Sequence, residues 1–223
     1  MKSGSTAMNP QTEARIKINR RDAYHQAGRA VAIYLGNRQK QLPDVYFQII
    51  VKPNEYPTNQ PRRFTRTFAK HTVQIEGGRL IQNLPLSFVD TTHDFSWPQQ
   101  EAFLCAFEAD VINLLAGSLA EAKYMAARDN ENFKVNLLTI EALKFYGGHS
   151  DLEIINEYIE SFILQQAERK RKLTELFLAA YGFVDNRTHW NTISALAEFI
   201  LKEPKDILNC EEVIALLESR LAA

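Results

Sequence analysis

Residues 20–36 read RRDAYHQAGRAVAIYLG, and this stretch predicts the first helix of the fold, over about 22–36. Asp22 can cap the start of the helix, and Gly36 is a favourable residue just past its end. His25 and Arg29 are four positions apart, so they share one face of the helix. The small residues between them form a face on which another helix can pack.

The same helix resembles a zinc-peptidase motif in which two working parts are replaced. In H-E-x-x-H, both histidines bind Zn²⁺ and the glutamate polarises the metal-bound water. In this chain Gln26 follows His25, and Arg29 stands where the second histidine would be. A guanidinium has no lone pair for a metal, and a carboxamide cannot take a proton from water. The helix therefore cannot perform zinc-peptidase chemistry as written.

The composition is that of an ordinary soluble globular protein. Of its 223 residues, 45% are hydrophobic and 24% are charged, and the formal net charge is −1. The near-zero charge argues against nucleic acid or an anionic membrane as the main partner. Cys105 and Cys210 fall in apolar helical stretches, which predicts free thiols and a cytoplasmic location. Residues 1–14 have no apolar core and are interpreted as a disordered lead or a cloning remnant, which leaves 15–223 as one domain.

Hydrophobic periodicity predicts a mainly α (α+β) fold with a small β-sheet near the N-terminus. Two β-branched and aromatic runs predict strands, and Gly77-Gly78 predicts a tight turn into a third run. From Ser96 onward the pattern predicts helices, with capping pairs at Ser96/Gln99, Ser150/Glu153 and Asn209/Glu212. The predicted strands are 44–51, 71–76 and 79–84, and the predicted helices after the first are 97–128, 133–146, 150–181, 188–201 and 210–221.

Four stretches, in the same order along the chain, resemble the FtsH-type metallopeptidase family. AYHQAGRAV (23–31) resembles that family's AYHEAGHAV helix, and NLLAGSLAEAKYM (113–125) resembles its LLAGRAAE helix. GGHSDLEIINEYI (147–159) is similar to the segment that carries the third zinc ligand, and HWNTISALAEFILKE (189–203) to the C-terminal helix. The resemblance covers about residues 20–220 and implies a helical peptidase-like domain with a small sheet beside its active-site helix. No phosphate-binding G-x-x-x-x-G-K-[ST] loop of an ATPase accompanies it.

The resemblance also assigns positions to individual residues. His25 matches the first zinc ligand and Asp151 the third, whereas Gln26 stands at the general-base position and Arg29 at the second ligand. Glu121 matches the acid of the family's AAE segment, where it can orient His25 or simply be an exposed helical glutamate. Asp151 also has a purely structural explanation, because an acid in a first helical turn complements the helix dipole.

A physical argument pairs Arg29 with Asp151. If both positions converge on one ion, losing that ion leaves a partly buried carboxylate without compensation, which is costly. A guanidinium at position 29 can supply the missing positive charge and hold the carboxylate bidentately. On this hypothesis a salt bridge has replaced the metal.

Two functions follow from these residues. The first is a pseudopeptidase without a cofactor, which binds an unknown peptide or protein through its cleft and through an exposed edge strand at 71–76. The second is a metal-dependent (Zn²⁺) peptidase or hydrolase with a rearranged site around His25 and Asp151, with or without His149 as a further ligand.

The sequence contains further partner signals that are weaker. Residues 61–71, PRRFTRTFAKH, alternate basic and aromatic side chains, as single-strand-binding segments do, but the near-neutral chain favours a solvated loop. No uninterrupted apolar run reaches the ~18 residues that a membrane helix needs. The resemblance also leaves a homo-oligomer as one option for the partner, because the family's peptidases act as rings.

Overall fold

A computed structural model describes residues 17–53, 70–85, 87–202 and 205–221. These residues are mostly helical and include one small sheet, which confirms the mainly α (α+β) class. The α-helices are α1 (Arg20–Val31), α2 (Asn37–Gln39), α3 (Phe88–Thr91), α4 (Trp97–Arg128), α5 (His149–Phe162), α6 (Gln166–Asp185), α7 (Arg187–Lys202) and α8 (Cys210–Leu221). The strands are β1 (Lys17–Ile18), β2 (Phe47–Pro53), β3 (Lys70–Gly77) and β4 (Ile207–Leu208).

Two predictions fall on residues outside this description. Residues 1–14, predicted to be a disordered lead or a cloning remnant, lie there, and so do residues 61–69 of the basic and aromatic segment.

The first helix is longer than predicted at both ends. Asn19, not Asp22, caps it, since the Asn19 side chain accepts a hydrogen bond from the Arg21 amide. Gly36 does not end it: a π-helical turn, Ala32–Gly36, joins α1 to α2. The helical run ends where Gln41 takes a positive φ of 55°.

Helix α4 is the centre of the core, and its bounds match the prediction. Gln99 accepts a hydrogen bond from the Ser96 amide at its start, as the capping pair predicts. By length and composition this helix could cross a membrane, but 67% of its most apolar window is buried inside the protein. A central core helix passes the same test, so this is weak evidence for a membrane span.

The sheet has the strand order β1-β3-β2-β4. β2 and β3 are antiparallel, with Ile49 opposite Ile75, and β4 adds to the other side of β2. The prediction that 71–76 forms an exposed edge strand is therefore wrong at its N-terminal end, where β1 covers β3. β3 lies inside the strand order, because β1 pairs in parallel with Lys70 and His71.

The segment after β3 turns as predicted but does not continue as a strand. Gly77 and Gly78 have φ values of 80° and 79°, which glycine tolerates best. The amides of Leu80 and Ile81 then donate to the carboxylate of Asp110 on α4, each at 2.9 Å. These bonds to a helix side chain replace the strand ladder predicted for 79–84.

Two predicted helices are different in the structure. Residues 133–146 form two short 3₁₀ turns, Val135–Leu137 and Glu141–Phe145, instead of one α-helix. The predicted helix 150–181 is divided into α5 and α6, and α5 begins at His149 without a side-chain cap. The division follows from packing: Phe162 stacks on Phe107 with ring centroids 4.4 Å apart, and the chain then becomes extended at Ile163.

The C-terminal helices agree with the predictions. The Asn209 side chain accepts from the Glu212 amide at 3.0 Å, which caps α8. Cys105 and Cys210 are free thiols in helices. β4, which no sequence pattern indicated, brings the segment before α8 against β2.

Candidate functional site

Helices α1 and α4 approach each other closely at Gly28. A Cβ atom at Gly28 would lie 2.5 Å from Ala120 Cβ and 2.6 Å from the Ala116 carbonyl oxygen. Any side chain at this position would force the helices apart. The small-residue face predicted for α1 is therefore its packing face against α4, and it holds the neighbouring His25 against that helix.

The imidazole of His25 lies between two further glycines and is only 4% exposed. A Cβ at Gly117 on α4 would lie 2.8 Å from Nε2, and one at Gly147 would lie 2.9 Å from Nδ1. Gly147 has a φ of 69°, a conformation that glycine adopts without strain. The AGS and GGH segments of the sequence thus form the two walls around the ring.

Both ring nitrogens of His25 face acceptors. Nε2 is 2.9 Å from Asp151 Oδ2, and Nδ1 is 3.2 Å from the carbonyl oxygen of Tyr146 and 3.3 Å from Glu121 Oε2. Burial disfavours the charged ring, but hydrogen bonds to Asp151 and Glu121 outweigh it and raise the pKa of His25 to about 9. A pKa above neutral favours the protonated ring, the form that can donate from both nitrogens.

Arg29 contacts the same carboxylate as His25, as the sequence predicts. Its Nη1 atom is 3.4 Å from Asp151 Oδ1, and its side chain is 13% exposed. The contact is single and long, so the expected bidentate geometry is wrong. Burial opposes ionisation of Asp151, yet the hydrogen bond from His25 and the charge of Arg29 hold the pKa of that carboxyl below its usual value.

Glu121 is buried and lies beside His25, which excludes the exposed-glutamate interpretation. Its other oxygen accepts from Arg21 Nε at 2.6 Å, and Arg21 Nη2 also donates to the Phe145 carbonyl. Sequence reasoning missed Arg21. The available signal was its spacing, since Arg21, His25 and Arg29 recur every four residues along one face of α1.

These five side chains form a line of alternating charge, which we call the charge chain: Arg21, Glu121, His25, Asp151 and Arg29. Each carboxylate lies between two cations, and each contact is between 2.6 and 3.4 Å. Buried charges are tolerated when they are paired in this way. All the residues that the resemblance assigns to the site, except Gln26, belong to the charge chain.

Gln26 points to the sheet instead. Its side-chain oxygen accepts a hydrogen bond from the backbone amide of Ile75, at 3.2 Å. The residue at the general-base position thus contacts the β3 backbone.

Four members of the charge chain, all except Arg21, line a surface cleft of about 420 Å³ together with Gln26. One wall is α1, the opposite wall is β3 at residues 72–74, and the start of α5 closes one side. Larger hollows, of about 680 and 660 Å³, lie around Arg38 and Glu218 and contain none of the predicted site residues.

The other candidate residues lie apart from the charge chain. The His149 side chain is 81% exposed and closest to Glu153, and it does not line the cleft. Within the described ranges, no group of three or more His, Cys, Asp and Glu side chains is arranged to hold a metal ion.

Comparisons of the chain with protein-family models, with curated proteins and with solved structures find no significant match. The resemblance to the FtsH-type peptidases therefore depends on the motifs quoted above.

Proposed function

We propose that this chain is a pseudopeptidase: a cytoplasmic, non-catalytic FtsH-peptidase-like domain that binds a peptide or protein segment in the cleft beside α1. One observation carries the proposal. Arg29 and His25 both contact Asp151, the residue that the resemblance assigns to the third zinc ligand.

The electrostatics of the charge chain support the loss of the metal. Arg29 places a fixed positive charge beside Asp151, as a bound metal ion would. Both nitrogens of His25 and both oxygens of Asp151 are engaged by protein groups, and Arg29 has no lone pair. These donors do not fit zinc, and Gln26 cannot serve as a general base.

The cleft itself supports peptide binding. β1 pairs with β3 only at residues 70 and 71, so in the described part of the chain no strand covers that side of β3 at residues 72–74. An extended segment can add to such a strand through main-chain hydrogen bonds, while side-chain pockets select its sequence.

The metal-dependent hydrolase is the competing proposal. His25 and Asp151 are adjacent in the cleft, as it requires. His149, however, is exposed and outside the cleft, so a third ligand would have to come from elsewhere.

Full-length protein, purified without chelators, separates the two. We expect well below one zinc per chain by elemental analysis and no cleavage of a fluorogenic peptide library. In fluorescence polarisation, labelled extended octapeptides should bind, and the same peptides with alternate amides N-methylated should bind more weakly. One zinc per chain together with peptide cleavage would establish the hydrolase instead.

A further inference from the structure

The direction of the Ile75 amide identifies the open side of β3. In an antiparallel pair, the N–H and C=O of one residue point to the same side, and the side alternates along the strand. Because the Ile75 N–H meets Gln26, both of its backbone groups point away from β2. The backbone groups of Val73, two residues earlier, point the same way, into the cleft.

Gln26 occupies part of this open side. Its carboxamide is chemically equivalent to a peptide group, and its oxygen lies where the carbonyl of an added strand would accept from Ile75. The Gln26 side chain is partly exposed, and within the described residues this is its one hydrogen bond. It can therefore rotate away without leaving a second partner unsatisfied.

We infer that Gln26 is a latch on β3: its carboxamide closes the Ile75 position to an incoming segment, and an extended peptide must displace it to pair beyond Val73. The inference rests on the proposed function, because a latch matters only if a peptide adds to β3. The ligand class is an extended segment with a backbone carbonyl facing Ile75.

The test compares wild type with Gln26→Ala, which removes the acceptor, and Gln26→Glu, which keeps an oxygen at a similar position. Amide exchange followed by NMR should show faster exchange at Ile75 in Gln26→Ala and little change in Gln26→Glu. The Gln74 amide is the internal control, since it faces β2 and should not change. The labelled octapeptides should bind Gln26→Ala about two- to tenfold more tightly than wild type, the effect of removing one competing neutral hydrogen bond.

The outcomes distinguish the latch from the proposed function. Equal peptide affinity in wild type and Gln26→Ala overturns the latch but leaves peptide binding intact. Unchanged Ile75 exchange in a folded Gln26→Ala protein overturns the latch at its structural basis. Binding by neither protein overturns the proposed function and the latch with it.

Discussion

At the scale of residues, three cations of α1 and two carboxylates from other helices make one unit, which is buried except at Arg21. His25 is its centre, because it bonds both Glu121 and Asp151. Each outer arginine then contacts one carboxylate. Removing either arginine still leaves the neighbouring carboxylate with one partner, His25. The loss of stability should therefore be moderate.

Arg29→Ala tests this expectation. Asp151 would lose its contact with Nη1 but keep the bond to His25, so we expect a loss of about 1–3 kcal/mol in the free energy of unfolding by urea. Arg38→Ala is the matched control, since Arg38 belongs to an exposed ion pair with Glu218 and its loss should change stability very little. Equal effects of the two substitutions would show that Arg29 has no role as a buried counter-charge.

The double variant Gln26→Glu with Arg29→His tests the ancestry of the site. It restores the general base and, by the resemblance, a set of three ligands with His25 and Asp151. We expect measurable Zn²⁺ affinity in calorimetry, because the backbone positions are already set. Adding Asp151→Asn should abolish that affinity, and absence of zinc binding by the double variant would contradict the proposed equivalence of positions.

At the scale of elements, glycines decide how closely helices and loops approach α1. Gly28 allows the α1–α4 contact, and Gly117 makes room for the His25 ring. Gly182, by contrast, lies inside α6 and has nothing within 4 Å of its Cβ position. The same residue type is thus a packing requirement in one helix and a conformational weakness in another.

Alanine at Gly28 and alanine at Gly182 should have opposite effects on stability. Gly28→Ala places a Cβ against Ala120 and the Ala116 carbonyl, and we expect a loss of about 1–3 kcal/mol from overpacking. Gly182→Ala adds helix propensity in open space and should stabilise by about 0.4–1 kcal/mol. Thermal unfolding of both variants checks the pair, and a neutral Gly28→Ala would contradict the close contact between α1 and α4.

At the scale of the whole molecule, α1, α4 and α5 meet at the charge chain, so its ionisation affects global stability. The pKa of His25 is raised in the fold from 6.5 to about 9 by its two carboxylates, although burial and Arg29 oppose the shift. The stabilisation from a raised pKa is complete below 6.5 and is lost as pH rises through 9. Asp151 has the opposite dependence, because its pKa is lowered from 3.8 and its contribution is lost only in acid.

We therefore expect the charge chain to stabilise the protein most between about pH 4 and 6.5. Between pH 6.5 and 10 its contribution to the free energy of unfolding should fall by a few kcal/mol at most. Urea unfolding across this range should show the decline in wild type. We expect His25→Gln to be less stable than wild type at pH 6 and to show a smaller decline. Parallel curves for the two proteins would show that His25 does not titrate as described.

The starts of α4 and α8 and the turn after β3 were determined by the sequence alone, because a local hydrogen bond or a glycine pair defines each of them. The capping residues of α4 and α8 lie three positions apart, and Gly77-Gly78 needs no distant partner to turn. The proposed loss of zinc-peptidase chemistry also has a local basis, because it was argued from the functional groups of Gln26 and Arg29. The fold class followed from the hydrophobic periodicity.

The tertiary structure decided what distant residues do to one another. The contact between Arg21 and Glu121 joins residues 100 positions apart, and the bond from Ile75 to Gln26 spans 49. The break after Phe162 and the pairing of β4 likewise depend on packing partners elsewhere in the chain. Such contacts form only after the loops between them close, so their energies belong to the assembled core and have no local pattern that a sequence could display.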